Sequence, residues 1–243
     1  MGNQNPYLDY NFGGTTLTSV EEQSDLGVLF SKDLSFKDHI AKSVSKARSV
    51  SGWLLRTITI REKDVMVTLY KTFIRPHIEY CFSAWSPVPG YGGWALIDSL
   101  ESVQKQFTAR IYGFGNTNYR DRLKQLNLTT LLERRMRGDL IEIFKITKNY
   151  VNYGSNFFGE SRSGRHTVAQ SYNYRSSQRT KFFAQRSLHY WNRLPARVKD
   201  ASSVNNFENR LDEFRRDGIT NNITGHFWEL SEMYLQRFYG GDF

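Results

Sequence analysis

The spacing of apolar side chains along this chain changes near residue 36. Before it, Tyr7-Leu8-Asp9-Tyr10 and Thr15-Thr16-Leu17-Thr18 flank Gly13-Gly14, which predicts a hairpin. Leu26-Gly27-Val28-Leu29-Phe30 is a short apolar run and predicts a third strand. So few strands are marginal alone, and this part reads as the margin of a larger sheet. From Asp38 the period becomes helical. Ile40, Val44, Ala47, Ser51 and Leu54 share one face, and Lys42, Lys46, Ser49, Trp53 and Arg56 share the other. Residues 62 to 80 are apolar nearly all round and predict a buried helix, kinked or divided by Pro76. A loop rich in Gly and Pro follows over 86–93, and then a helix over about 94–112 with Leu96, Leu100, Val103, Phe107 and Ile111 as its stripe.

A short helix is expected over 119–126. Thr130 with Glu133 three residues on is a capping box that opens a helix to about residue 150, with Leu140, Ile141 and Phe144 in the core. Over about 152–178 the chain is polar and irregular, which predicts a flexible stretch. Helices are expected over 181–193 and 204–216, separated by Pro195, and a last amphipathic one over 227–239. The predicted class is mostly α: a helical bundle with a short N-terminal β-hairpin and a helical C-terminal region.

Composition adds a partner class. The 243 residues carry a formal charge of +9, and 15% of them are aromatic. A basic chain suits a phosphate-rich partner. Nine cations lie between Glu160 and Lys199 (Arg162, Arg165, Arg175, Arg179, Lys181, Arg186, Arg193, Arg197 and Lys199), and Glu160 is the single acid there. Aromatics interleave with them at Tyr172, Tyr174, Phe182, Phe183, Tyr190 and Trp191. Arginine beside stackable rings is the pattern single strands and RNA loops favour. Phe183, Leu188, Trp191 and Leu194 read as core, and Arg175, Arg179, Lys181 and Arg186 as the phosphate contacts. Arg134, Arg135 and Arg137 form a second basic cluster beside Glu133 and Asp139, where intrahelical pairs would neutralise part of it.

Other chemistry finds little support. Cys81 is the single cysteine, which excludes an intrachain disulfide and a cysteine zinc site. The five histidines are scattered, His77 with Glu79 reads as a structural hydrogen bond, and Asp98 with Glu101 reads as a pair on an exposed helix face. No phosphate-cradling glycine loop and no nucleophile elbow occurs. No metal or cofactor is expected. No run of about 18 apolar residues and no apolar leader is present, so no membrane span is expected, and the compartment predicted is cytoplasmic or nuclear.

Seven collinear segments resemble one family. They are Ser24-Asp25-Leu26-Gly27-Val28; Leu34-Ser35-Phe36-Lys37-Asp38-His39-Ile40; Leu69-Tyr70-Lys71 with Ile74-Arg75-Pro76-His77-Ile78-Glu79-Tyr80; Trp85-Ser86-Pro87; Leu100-Glu101-Ser102-Val103-Gln104-Lys105; Arg134-Arg135-Met136-Arg137-Gly138-Asp139-Leu140; and Trp191-Asn192-Arg193-Leu194-Pro195 with Ser203-Val204-Asn205-Asn206-Phe207. Together they look like the part of a jockey-like, non-long-terminal-repeat (LINE-type) retrotransposon reverse transcriptase that follows the catalytic palm. The resemblance implies palm-edge strands over 1–35, a helical thumb over 36–113 and a C-terminal region over 114–243. It also implies RNA or an RNA–DNA hybrid as partner, with the palm and fingers of the polymerase as a further one.

A thumb holds a duplex by its phosphates, which assigns Lys42, Lys46 and Arg56 on the first helix to that role. The family's catalytic aspartate pair does not occur, since the chain has no Asp-Asp dipeptide. No polymerase chemistry is therefore carried over to a residue of this chain. The alternatives are a domesticated protein–protein interaction or scaffold module, and a remnant without function.

Overall fold

Gly13 and Gly14 both take positive φ, and the chain reverses there to pair β1 (Asn11–Phe12) with β2 (Thr15–Thr16). The computed structural model describes residues 9–90, 92–151, 158–160, 167–169, 181–221 and 223–240. A second hairpin pairs β3 (Glu22–Asp25) with β4 (Val28–Ser31). Its turn is Leu26-Gly27, both at positive φ, so these two residues are a tight reversal and not the start of a strand. The apolar run misled because only Val28 of it is buried. Each hairpin stands alone as a two-stranded sheet.

Helix α1 (Lys37–Thr57) is fixed at both ends. Near its start, His39 is buried, accepts the backbone N–H of Leu29 at 3.2 Å through Nδ1, and meets Trp85 edge-on. At its end, the Arg61 guanidinium donates to the carbonyls of Leu55 and Ile58, which the last helical turn leaves without intrahelical partners. Ile40, Val44, Ala47 and Leu54 are buried, as the period predicts.

The next segment is three pieces: α2 (Lys63–Leu69), a π-helical turn (Tyr70–Ile74) and α3 (Arg75–Glu79). The wider turn sits just before Pro76, whose missing N–H and bulky ring an unbroken α-helix does not accommodate. Burial follows one stripe, Met66, Tyr70, Ile74 and Ile78, while Val65 and Phe73 are exposed. The helix is therefore one-sided and not buried all round.

After the short α4 (Phe82–Trp85), α5 (Gly93–Thr108) is the element buried on more than one side. Its Leu100, Val103 and Phe107 join an N-terminal core with α1, the π turn and α3, whereas its Ile97 joins a C-terminal core. That second core is built on α6 (Tyr119–Gln125) and α7 (Leu131–Thr147). It continues through α8 (Phe183–Arg186), α9 (Leu188–Arg193), α10 (Ala196–Lys199), α11 (Val204–Thr220) and α12 (Glu229–Tyr239). Phe158–Glu160 and Thr167–Ala169 pair as antiparallel strands β5 and β6 inside the stretch expected to be flexible, the rest of which lies outside the described residues. The class is the expected one, mostly helical with N-terminal hairpins.

Thr130 caps α7 by accepting the Glu133 N–H at 3.3 Å, but the box is half made. Glu133 turns instead to Arg215 on α11. The helix expected over 181–193 is two short helices that meet at Ser187, whose hydroxyl donates to Asp139 Oδ2 at 2.9 Å.

Candidate nucleic-acid interface

One face of α1 points away from the core along its whole length. Lys42, Lys46, Ser49, Trp53 and Arg56 fall four, three, four and three residues apart, the spacing of one helical face, and all are exposed. At 1.5 Å per residue the stripe runs about 21 Å from Lys42 to Arg56. No acid occurs between Asp38 and Glu62, and among the described residues neither Lys42, Lys46 nor Arg56 is in an ion pair. The Trp53 ring is 56% exposed among them. Arg56 lies back along the helix, its Nη1 near the α-carbon hydrogens of Gly52. Three solvated cations with an open indole on a rigid helix can meet a row of phosphates and one unstacked base.

Sequence reasoning missed Arg48, which lies between these residues. Its Nη2 donates to Ser102 Oγ at 2.8 Å and pins α1 to α5. The acid-free run from His39 to Arg61 was the signal that marks this whole helix as cationic.

The C-terminal cluster is a different matter. Arg175 and Arg179 lie outside the described residues. Lys181 is exposed at the head of α8, on a helix that packs against α7 and α9, while α1 packs against α3, α5 and β4. Arg186 must be withdrawn as a phosphate contact. Its side chain is 3% exposed; Nε and Nη2 grip Asp139 at 2.7 and 2.8 Å, and Nη1 donates to the Lys181 carbonyl at 2.8 Å. Burial pushes the Asp139 carboxyl up, and Arg186 and Ser187 pull it back. Arg193 donates to the Gly225 carbonyl at 2.7 Å, and Arg197 pairs with Asp217. Much of the described charge there ties helices together.

The arginines of α7 also act across the fold and not within their helix. Arg134 pairs with Glu79 at 2.6 Å, and Arg137 with Asp212 at 2.7 Å and with Glu208. Glu79 is thus held by Arg134 and Arg75, and not by His77. Glu101, expected on an exposed face, is fully buried at the junction of the two cores. Its Oε1 accepts from the Tyr119 hydroxyl at 2.5 Å and from Gln104, and its Oε2 accepts the Leu131 N–H at 2.8 Å. Burial pushes its pKa up to about 7. Asp98 accepts from Tyr234 and is not Glu101's partner.

Among the described residues no group of three His, Cys, Asp or Glu side chains gathers to hold a metal ion. No described helix is long and apolar enough to cross a membrane.

No family model and no solved structure matches the chain. Over 132 residues, 53% of its length, it is 26% identical to an uncharacterized protein of Caenorhabditis elegans. The match covers 61% of that protein.

Proposed function

We propose that this chain is a nucleic-acid-gripping module, the thumb and C-terminal part of a LINE-type reverse transcriptase, which holds RNA or an RNA–DNA hybrid without polymerase chemistry of its own. The observation that carries the reading is the exposed, unpaired row of Lys42, Lys46 and Arg56 on a helix anchored at both ends. A gripping surface is most precise on a rigid element, and α1 is held by contacts at both of its ends. Arg175, Arg179 and Lys181 are proposed as a second set of phosphate contacts, without Arg186. The palm and fingers are proposed as the protein partner of the N-terminal hairpins, where Phe12, Leu17, Val20 and Leu26 are exposed. The proposed compartment is the cytoplasm or nucleus, where such a nucleic acid is found.

Equilibrium binding of the full chain to a labelled RNA–DNA hybrid tests this. The six proposed phosphate contacts, three on α1 with Arg175, Arg179 and Lys181, give a slope of log affinity against log salt of about −5.4. A slope near zero, or no binding at low salt, overturns the proposal.

A scaffold module is favoured by a separate observation, that Arg186, Arg193 and Arg197 are used within the fold. In that reading the Lys42–Arg56 row is solvated surface, and the same titration returns no salt-dependent affinity.

A further inference from the structure

The turn that follows α5 holds one ring out in solvent. Tyr112 is 84% exposed, and its ring meets no other ring among the described residues. Its backbone is nevertheless fixed. The Tyr112 N–H donates to the Arg61 carbonyl at 2.8 Å, and the Phe114 N–H donates to the Ile111 carbonyl at 3.1 Å. Ile111 is buried in the N-terminal core, and Phe114 packs against the same core. Gly113 between them takes a φ of 81°, which turns the chain sharply. A bare ring on a clamped backbone is a surface on which a flat partner stacks at small entropic cost.

The ring stands at one end of the α1 row. Arg48 joins the middle of α1 to α5 through Ser102. Further along, Arg61 holds the last turn of α1 by the Leu55 and Ile58 carbonyls, and holds Tyr112 by its own carbonyl. A strand that follows Lys42, Lys46 and Arg56 therefore leaves the helix on the side of the Tyr112 turn. The charge there suits such a strand. From Lys105 to Lys124 the cations are Lys105, Arg110, Arg120, Arg122 and Lys124, and the single acid is Asp121, which accepts from Asn118 at 2.7 Å. Arg110 is exposed and in no ion pair among the described residues. Arg122 is buried beneath this turn, and its Nη1 donates to the Phe114 carbonyl at 3.3 Å. Besides burial, the groups that act on its ionisation are Tyr119 and Tyr239, neither of them charged at neutral pH. Arg122 thus supplies positive field and no contact. Glu62, the next residue after Arg61, is exposed, so a neutral base and not a phosphate belongs over the ring.

We propose that Tyr112 and Arg110 bind the first unpaired nucleotide of a nucleic acid held along α1, its base stacked on the Tyr112 ring and its phosphate on the Arg110 guanidinium. This rests on the reading of α1 as a gripping surface, and extends it from the duplex to the single strand of RNA that runs on from it. Every base has a π-face, so the site reads strandedness and not sequence. Arg110, two residues before the ring, supplies the charge that the phosphate needs.

The test compares a blunt RNA–DNA hybrid with the same hybrid carrying a short single-stranded RNA extension, whose first unpaired base is 2-aminopurine. The full chain should bind the extended ligand roughly tenfold tighter than the blunt one, and should quench the 2-aminopurine. Tyr112→Ala should remove the gain and the quenching while blunt-hybrid affinity and the unfolding midpoint stay at wild type. Tyr112→Phe keeps the π-face and should retain both. Arg110→Ala should make the salt slope of the extended ligand shallower by about 1, and an unchanged slope overturns the phosphate half of the proposal. A blunt hybrid that binds with no gain from the extension, or a gain that survives Tyr112→Ala, overturns the platform and leaves the reading of α1 standing. A gain abolished by Trp53→Ala and not by Tyr112→Ala assigns the unpaired base to α1, with the same consequence. Absence of blunt-hybrid binding overturns the reading of α1 and the platform with it.

Discussion

Arg186 and Asp139 form a two-pronged ion pair, Nε to Oδ2 at 2.7 Å and Nη2 to Oδ1 at 2.8 Å, with side chains 3% and 1% exposed. It joins α8 to α7 across 47 residues of sequence, and Arg186 also donates to the Phe82 and Ser83 carbonyls of α4. Removing one partner leaves the other charge buried and unpaired. Arg186→Ala should therefore lower unfolding stability by roughly 3–5 kcal/mol. Denaturant unfolding checks it. A loss of hybrid affinity with stability unchanged would return Arg186 to the list of phosphate contacts.

Glu101 predicts a pH dependence with a definite sign. Its carboxyl titrates near 7 in the folded chain, raised from about 4.5 by burial. Between those values the folded state keeps a proton that the unfolded state has released, so stability falls as pH rises through the window. The whole change is roughly 3 kcal/mol. Burial also pushes His39 down, which has the opposite slope: its contribution is lost as pH falls below about 6.5. Glu101→Gln should make the first slope shallower, because Asp139 and Glu133 are also raised by burial and keep a part of the same sign, and should leave the second unchanged. Unfolding midpoints of both proteins from pH 4.5 to 8 settle it, and parallel curves would contradict the assignment.

Gly218 sits under Trp228. A Cβ there would lie 2.3 Å from the indole, which in turn stacks on His226 with ring centroids 4.6 Å apart. Gly218→Ala should destabilise by about 1–3 kcal/mol through overpacking, although alanine favours a helix more than glycine does. Thermal unfolding with tryptophan fluorescence reads both the loss and the displaced ring.

Much of this architecture can be seen in the sequence, for a physical reason. The buried face of α1 is legible because a helix half in water must repeat its apolar residues every three or four positions. The cap at Thr130 is legible because it is local. The tertiary ion pairs are not. Arg134, Arg137 and Arg186 look alike as letters, yet Glu79, Asp212 and Asp139 lie 55, 75 and 47 residues away from them. Glu101 resembled a surface acid because nothing adjacent to it reveals that α5 is enclosed by two cores. In the candidate site, Lys42, Lys46 and Arg56 were legible because they lie opposite the apolar stripe. The engagement of Arg186 was not legible from the charge run.

Trp53 separates two kinds of nucleic acid. An exposed indole can stack on an unpaired base but has no open π-face to meet inside a duplex. Trp53→Ala should weaken binding of single-stranded RNA by about 1–3 kcal/mol and leave RNA–DNA hybrid affinity close to wild type. Parallel anisotropy titrations of the two ligands give the comparison, and equal losses on both would contradict a stacking role.

The most direct measurement is the salt slope of hybrid binding for wild type beside the Lys42→Ala, Lys46→Ala, Arg56→Ala triple variant. All three side chains are exposed on α1, so the variant should unfold at the wild-type midpoint. The account predicts that the slope becomes shallower by about 3, near one for each lost phosphate contact. Identical slopes and affinities for a folded variant would contradict it and remove α1 as the gripping surface.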